Sequence, residues 1–341
     1  MQLEIIQNIA KLALLEDEWN NLLRNSASHV PFLRHEYLTA WWQTLGGGEW
    51  SHGDLYVICG RNEDGQLRAI APLFLTENPD GEPGLMLLGS IEISDYLDFI
   101  VRPEDMPQFF SRVLEHLASD AAPTWKELNL YNILDNSPTL ATLKNSSEAI
   151  GWDFQQARLQ HSPYIPLPGD WETYLSSIDK KQRHEIRRKI RRLEDSGENY
   201  GWYIVQEGAS LDKEIEDFLN LMGQDPAKQA FLTDKMRRQI NQTARAAFQH
   251  GWLQLAFLEI SGEKAAGYLN FDYDNHIWVY NSGWDNRFSN FSPGWVLLGY
   301  LLEWAIAHRR TSFDFMRGDE EYKYRFGGID RFVLRATIRR N

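Results

Sequence analysis

Three consecutive stretches in the C-terminal half, WLQLAFLEI (252–260), KAAGYLNFDY (264–273) and HIWVYNSGW (276–284), carry the alternating or unbroken apolar pattern of β-strands. The residues between them, Ser-Gly-Glu and Asp-Asn, are hairpin turn signals, so the spacing predicts an antiparallel meander. Ahead of it lie a strand over 201–207 and helical spacing of Leu, Ile, Phe and Met over 211–222 and 227–249. Behind it, SPGWVLLGYLLEWAIAHRR opens a helix with Ser292 as N-cap and Pro293 at the first helical position, and closes it with basic residues. A strand SFDFM (312–316), a short helix over 320–326 and a strand RFVLRATI (331–338) complete the series β-α-α-β-β-β-α-β-α-β.

The N-terminal half uses the same order without residue-level identity. LEIIQN reads as a strand, LLEDEWNNLL and PFLRHEYLTAWWQTL as helices, and DLYVICG, QLRAIAPLFL and GLMLLG with YLDFIV as a second meander. A helix over 104–118, the strand KELNLY, a helix over 138–149 and the strand FQQARL follow. A shared order of this kind is the trace that two copies of one domain leave. The predicted fold class is α+β, with two domains that each fold as a mostly antiparallel twisted sheet flanked by helices. The boundary falls near residue 160, inside QHSPYIPLPGD, where prolines mark a linker, giving domains 1–160 and 161–341.

Length supports two cores, since 341 residues exceed the about 250 to 300 at which single cores stop growing. A composition 43% hydrophobic with thirteen tryptophans supplies ample material to bury. The net charge of -13 opposes wholesale binding of a nucleic acid, so any basic site is local. The one cysteine, Cys59 in LYVIC, excludes a disulfide framework, fits a reducing compartment and reads as a buried, inert thiol. The first residues carry acids inside their apolar stretch and lack a basic leader region, and no apolar run approaches about 18 residues. The expectation is a soluble, cytoplasmic protein. Nine histidines give no H-x-x-x-H or H-E-x-x-H spacing, so no metal is expected.

The helix after each meander is the element whose free N–H groups and dipole favour an anion. In the first half it opens RPEDMPQFF, with Glu104 and Asp105 in the first turn, which repels phosphate. In the second half the lead-in DNRFSNFSPGW has Arg287, Ser289, Asn290, Ser292 and Gly294 and no acid after Asp285. A capped helix start accounts for Ser-Pro-Gly alone; a strand edge feeding into the loop adds the possibility of an elongated ligand with phosphates at one end.

The element order, Arg287-x-x-Asn290-x-Ser292 before a helix, and the string DFMRGDEEYKYRFG resemble the GNAT superfamily of acyl-CoA N-acyltransferases. Together with PFLRHEYLTAWWQTLGGG, SPYIPLPGDWETYLSSIDKKQRHEIRRKIRRLE and FSPGWVLLGYLLEWAIAHRRTSFDF, they look like its CelD-like or BioF-like acetyltransferase branch. That branch is similar in fold to the FemAB-type aminoacyltransferases, which carry two GNAT-like domains. The superfamily's phosphate loop usually has small residues where this chain has Asn290 and Ser292. Asn tolerates the left-handed conformation, and Ser is nearly as small as Ala.

The resemblance implies acetyl-CoA or another acyl-CoA as co-substrate, held by Val279, Tyr280 and Asn281 on the strand edge and by Arg287, Ser289, Asn290, Ser292 and Gly294 at the phosphates. It also implies a tyrosine acid after the following strand, carried over to Tyr322, with Asp319 or Glu320 as base. Lys323, with Arg325, is either a cation near the phosphates or solvated charge. DKKQRHEIRRKIRRLE packs eight Lys or Arg from Lys180 to Arg192 opposite an apolar face. Three readings stay open for it: a solvated helix, a site for an anionic small-molecule or envelope-precursor acceptor, or a tRNA contact of the FemAB kind. For the acceptor site the residues are Arg183, Arg187 and Tyr164. A GNAT-fold module without activity is the alternative from another class.

Overall fold

The computed structural model describes residues 1–77 and 81–340. The chain forms two units: Met1–Gln160 with the last strand from Phe332, and His161–Arg331. The first contains β1 (Gln2–Ile6), α1 (Ile9–Ala13), α2 (Glu16–Leu23), α3 (His35–Gly48), β2 (Asp54–Arg61), β3 (Leu67–Glu77), β4 (Pro83–Leu87), β5 (Ile100–Val101), α4 (Met106–Ala118), β6 (Glu127–Leu134), α5 (Pro138–Ala149) and β7 (Asp153–His161). The second contains β8 (Tyr164–Pro166), α6 (Trp171–Ser177), α7 (Lys180–Glu194), β9 (Tyr200–Ile204), α8 (Leu211–Met222), α9 (Pro226–Phe231), α10 (Asp234–Gln249), β10 (Leu253–Ile260), β11 (Glu263–Tyr273), β12 (His276–Trp284), α11 (Pro293–Ala307), β13 (Ser312–Asp314) and α12 (Glu321–Arg325); β14 (Phe332–Arg339) ends the chain.

The second sheet runs β8-β13-β12-β11-β10-β9, and its meander has the antiparallel register Leu253↔Phe271 and Ala266↔Trp284 that the hairpin turns require. Two sequence expectations fail at the ends of the units. The last strand, expected in the second domain, lies between β6 and β7 of the first sheet, with Val333 opposite Leu134 and Arg339 opposite Glu127. The expected linker instead supplies β8, with Ile165 paired to Phe313. Turn residues reveal where a strand ends, but strand partners are chosen by edges that are distant in sequence, and alternation carries no label for the sheet. The single helix expected over 227–249 is also two, because Leu232 and Thr233 interrupt it and the Thr233 hydroxyl accepts from the Met236 N–H to start α10.

Helix α11 is apolar on nearly every side, and Val296, Leu297, Leu301, Leu302 and Ala305 are fully buried between the sheet and α7. Each buried leucine contributes roughly 1.5–3 kcal/mol of transfer free energy. On the other face, α8 lies close to the meander because Gly267 and Gly283 stand opposite each other on β11 and β12. A Cβ at Gly283 would stand 2.3 Å from the Met222 nitrogen and 2.6 Å from its Cα, both backbone atoms. Gly283→Ala is therefore expected to cost about 1–3 kcal/mol by overpacking, read as a lower urea midpoint with unchanged slope. A raised midpoint, the usual result of Gly→Ala at a compatible position, would mean that α8 yields freely.

Candidate acyl-transfer site in the second unit

Strands β12 and β13 pair in parallel only from His276–Trp278 to Ser312–Asp314. Beyond that point β12 runs on to Trp284 along β11, whereas the chain after β13 turns away. The turn is built by three interactions. The buried Asp314 carboxylate accepts from the Met316 N–H at 2.8 Å and pairs with Arg331. Met316 takes the left-handed conformation at φ 60°. The buried Lys323 ammonium donates to the carbonyls of Met316, Arg317 and Gly318 and lies 2.9 Å from Glu320.

A cavity of about 280 Å³ opens where the strands part. Ser282 and Trp284 of β12 form one wall, Tyr268 of β11 and Tyr322 of α12 lie across it, and Ser292, Gly294 and Trp295 at the start of α11 form the floor. Tyr268 donates its hydroxyl to the Gly294 carbonyl at 3.2 Å. Burial pushes the Tyr322 phenol well above the ordinary tyrosine range, with Tyr268 and the Glu320 carboxylate adding to the shift. Tyr322 is therefore protonated across the physiological range. A β-bulge between Leu269 and Asn270 leaves Tyr280 as the extra residue of β12, which bends the strand beside the cavity.

The structure gathers Tyr322, Ser289, Ser292 and Gly294 in this lining and places the other sequence candidates elsewhere. Ser292 is the residue before α11, but at φ 54° it is left-handed and its side chain makes no capping bond; it reverses the 3-10 turn Asn286–Phe291 into the helix. The left-handed position is thus Ser292 rather than Asn290. Asn290 is exposed, and its carbonyl accepts from Arg192 at 2.8 Å. Arg287, expected to face phosphate, is held by Asp285 at 2.7 Å and Glu263 at 2.6 Å on another groove, and these acids raise its pKa. Its charge is answered within the protein. Lys323 is consumed by the 316–318 carbonyls in the same way.

Val279 is buried in the core, Tyr280 stacks on Phe271 with ring centroids 5.2 Å apart, and the Asn281 amide oxygen accepts from Lys228. Asp319 and Glu320 are both exposed. Arg183 donates to the Leu175 carbonyl at 3.3 Å, Arg187 pairs with Glu172 at 2.5 Å, and the Arg331 guanidinium lies 4.7 Å from the Tyr164 ring centroid. None of these three candidates lines the cavity. Sequence reading missed Tyr268, Ser282, Trp284 and Trp295. Trp284 and Trp295 bracket the loop that was singled out, a signal that was available; Tyr268 becomes visible only once β11 is laid beside α11.

Lys189 of α7 holds its ammonium 4.3 Å from the centre of the Trp295 ring, which lines the cavity. Burial lowers the Lys189 pKa. Asp179 caps this helix by accepting from the N–H groups of Lys181 and Gln182.

The first unit has the matching strand divergence, since β4 and β6 pair in parallel only over Gly84–Met86 and Glu127–Asn129. There the chain fills its own gap. Asn132 donates to the carbonyls of Ile91 at 2.7 Å and Ser94 at 2.8 Å, its own carbonyl accepts from the Leu97 N–H, and Tyr37 donates to the Ile93 carbonyl. Glu104 and Asp105 before α4 are both paired with Arg68.

Residues 180–324 match the family model described as an acetyltransferase (GNAT) domain. A search of curated protein sequences returns no match. The crystal structure of FemX is similar with a TM-score of 0.67 at 11% identity, covering 98% of this chain and 97% of its own. A conserved protein of unknown function from Bacteroides thetaiotaomicron has a TM-score of 0.58 at 12% identity, over 99% of this chain and 100% of its own. L-PGS from Bacillus licheniformis has a TM-score of 0.55 at 11% identity, over 94% and 90%. At these identities the likeness is one of fold. With one order of elements used twice and the family match inside the second unit, the chain has a FemX-like fold of two similar units, the second of which matches a GNAT acetyltransferase domain.

Proposed function

We propose that the second unit transfers an acyl group, acetyl in the simplest case, from coenzyme A to a primary amine. The observation that carries this reading is the cavity at the parting of β12 and β13, with the start of α11 as its floor and protonated Tyr322 on its wall. A helix start offers N–H groups to a phosphate, and the free end of β12 offers an edge to an amide-bearing arm. The thioester then lies between Ser282 and Tyr322. An attacking amine expels the thiolate, and Tyr322 is placed to protonate it. Glu320, whose carboxylate acts on the Tyr322 phenol, is the better candidate of the two acids to take the amine's proton.

The test is titration calorimetry with acetyl-CoA and with coenzyme A, on the wild-type protein and on Ser289→Glu. Binding in the micromolar range, lost by at least about tenfold when a carboxylate is placed on the floor, is the expected result, since a charge opposed at close range in a partly dry site costs more than 1.4 kcal/mol. Binding unchanged by Ser289→Glu would remove the donor from this cavity.

A second reading has a specific observation behind it. Arg287 and Lys323, two cations expected for the coenzyme phosphates, are engaged within the protein. That favours a donor whose carrier is read elsewhere, and the cationic face of α7 beside Trp295 is where an aminoacyl-tRNA would find phosphate contacts. Its mark is affinity for tRNA that falls steeply with salt.

A further inference from the structure

We propose that Lys228 is an internal acyl acceptor: its side-chain amine, held against the free end of β12, takes the acyl group from a donor seated in the adjoining cavity. This rests on the acyl-thioester reading above.

Lys228 lies on α9, and its Nζ donates to the Ser282 carbonyl at 2.6 Å and to the Asn281 amide oxygen at 2.9 Å. Both acceptors belong to the part of β12 that β13 has left. The lysine lines a second cavity of about 110 Å³, together with Gln224, Asn286, Ser282 and Trp284. Ser282 and Trp284 also wall the larger cavity. One strand end therefore separates a primary amine from the space assigned to the thioester. The Glu320 carboxylate favours the protonated form of both Lys228 and Tyr322.

The setting suits a nucleophile. Burial lowers the Lys228 pKa below the ordinary lysine range, with Asp225 and Glu320 pulling the other way. A larger share of the side chain is then the neutral amine, the form that attacks a thioester. The Asp225 carboxylate accepts from the N–H groups of Ala227 and Lys228, so it is spent on starting α9. Two other lysines of this unit, Lys264 and Lys323, are less suited. Lys264 is clamped by Glu214 and Asp217, which raise its pKa, and Lys323 lies under three carbonyls.

The step balances. The Lys228 ammonium gives one proton to solvent, and the neutral nitrogen adds to the thioester carbonyl carbon, forming the C–N bond. The C–S bond breaks with its electron pair on sulfur. Tyr322, on the cavity wall, gives a proton to the thiolate and is restored by the nitrogen's second proton. The products are an amide at Lys228, free coenzyme thiol and one proton.

The experiment incubates the full chain with acetyl-CoA, measures donor binding by calorimetry and locates acetyl groups by peptide mass spectrometry. A single acetyl group at Lys228, absent from Lys228→Arg, is the expected result. Donor binding without acetylation, or acetyl groups spread over Lys180, Lys181 and Lys189, overturns the proposal and leaves the donor site standing. Absence of both binding and label overturns the donor site and the internal acceptor with it. The wild-type peptide map alone decides the question, so a poorly folded variant would not blunt the test.

Discussion

Tyr322→Phe is expected to lower the rate of acyl transfer by about 10²- to 10⁴-fold, the range for a positioned acid, while donor affinity stays within about twofold. The phenyl ring keeps its edge-to-face contact with Phe315, at 5.9 Å between centroids, and keeps its place in the cavity wall. Only the proton is removed. Because burial holds the phenol well above its usual range, the wild-type rate should show no alkaline fall from Tyr322 at pH values up to about 9. Initial rates at saturating donor, measured by release of coenzyme thiol, check both statements. A rate unchanged at saturation would leave Tyr322 as wall and not as acid.

Arg331→Ala is expected to destabilise the second unit by about 3–5 kcal/mol, the cost of stripping a buried charge of its partner. The Asp314 side chain is only 2% exposed, and Arg331 is its ion-pair partner at the point where β13 ends. The same guanidinium covers the Tyr164 ring, so contact area is lost along with the charge. The double change Asp314→Asn with Arg331→Ala should recover a substantial part of the loss, because no buried carboxylate is then left alone. Urea unfolding of the two variants separates these effects. A loss under about 1 kcal/mol for Arg331→Ala, the range of an exposed pair, would mean that water reaches Asp314.

In the string of charges and tyrosines from the end of β13 onward, Asp314, Glu320 and Lys323 serve the turn. Lys323 looked like a phosphate cation because a lysine after a strand carries no mark of where its ammonium goes. The turn consumes it: three carbonyls leave the strand unpaired at 316–318, and a buried carbonyl needs a donor. Arg287 was misjudged for a similar reason. Asp285, two residues away, was visible in sequence, but Glu263 reaches the same guanidinium only because β11 starts beside the end of β12. Asp314 pairs with Arg331, seventeen residues on, across the folded turn.

Local periodicity by itself determined the elements, their order and its repetition, the antiparallel meander in each half, and the contrast between an acidic and an acid-free helix start. These follow from side-chain spacing and turn chemistry, which act over a few residues. Tertiary structure alone decided that β14 completes the first sheet, that residues 164–166 join the second, and that the first unit fills its own strand gap with residues 88–99 while the second leaves its gap open. It also brought Lys228 to the back of the open strand end. Each of these depends on which buried backbone groups and charges find partners, and those partners lie tens to hundreds of residues apart, beyond the reach of any local pattern.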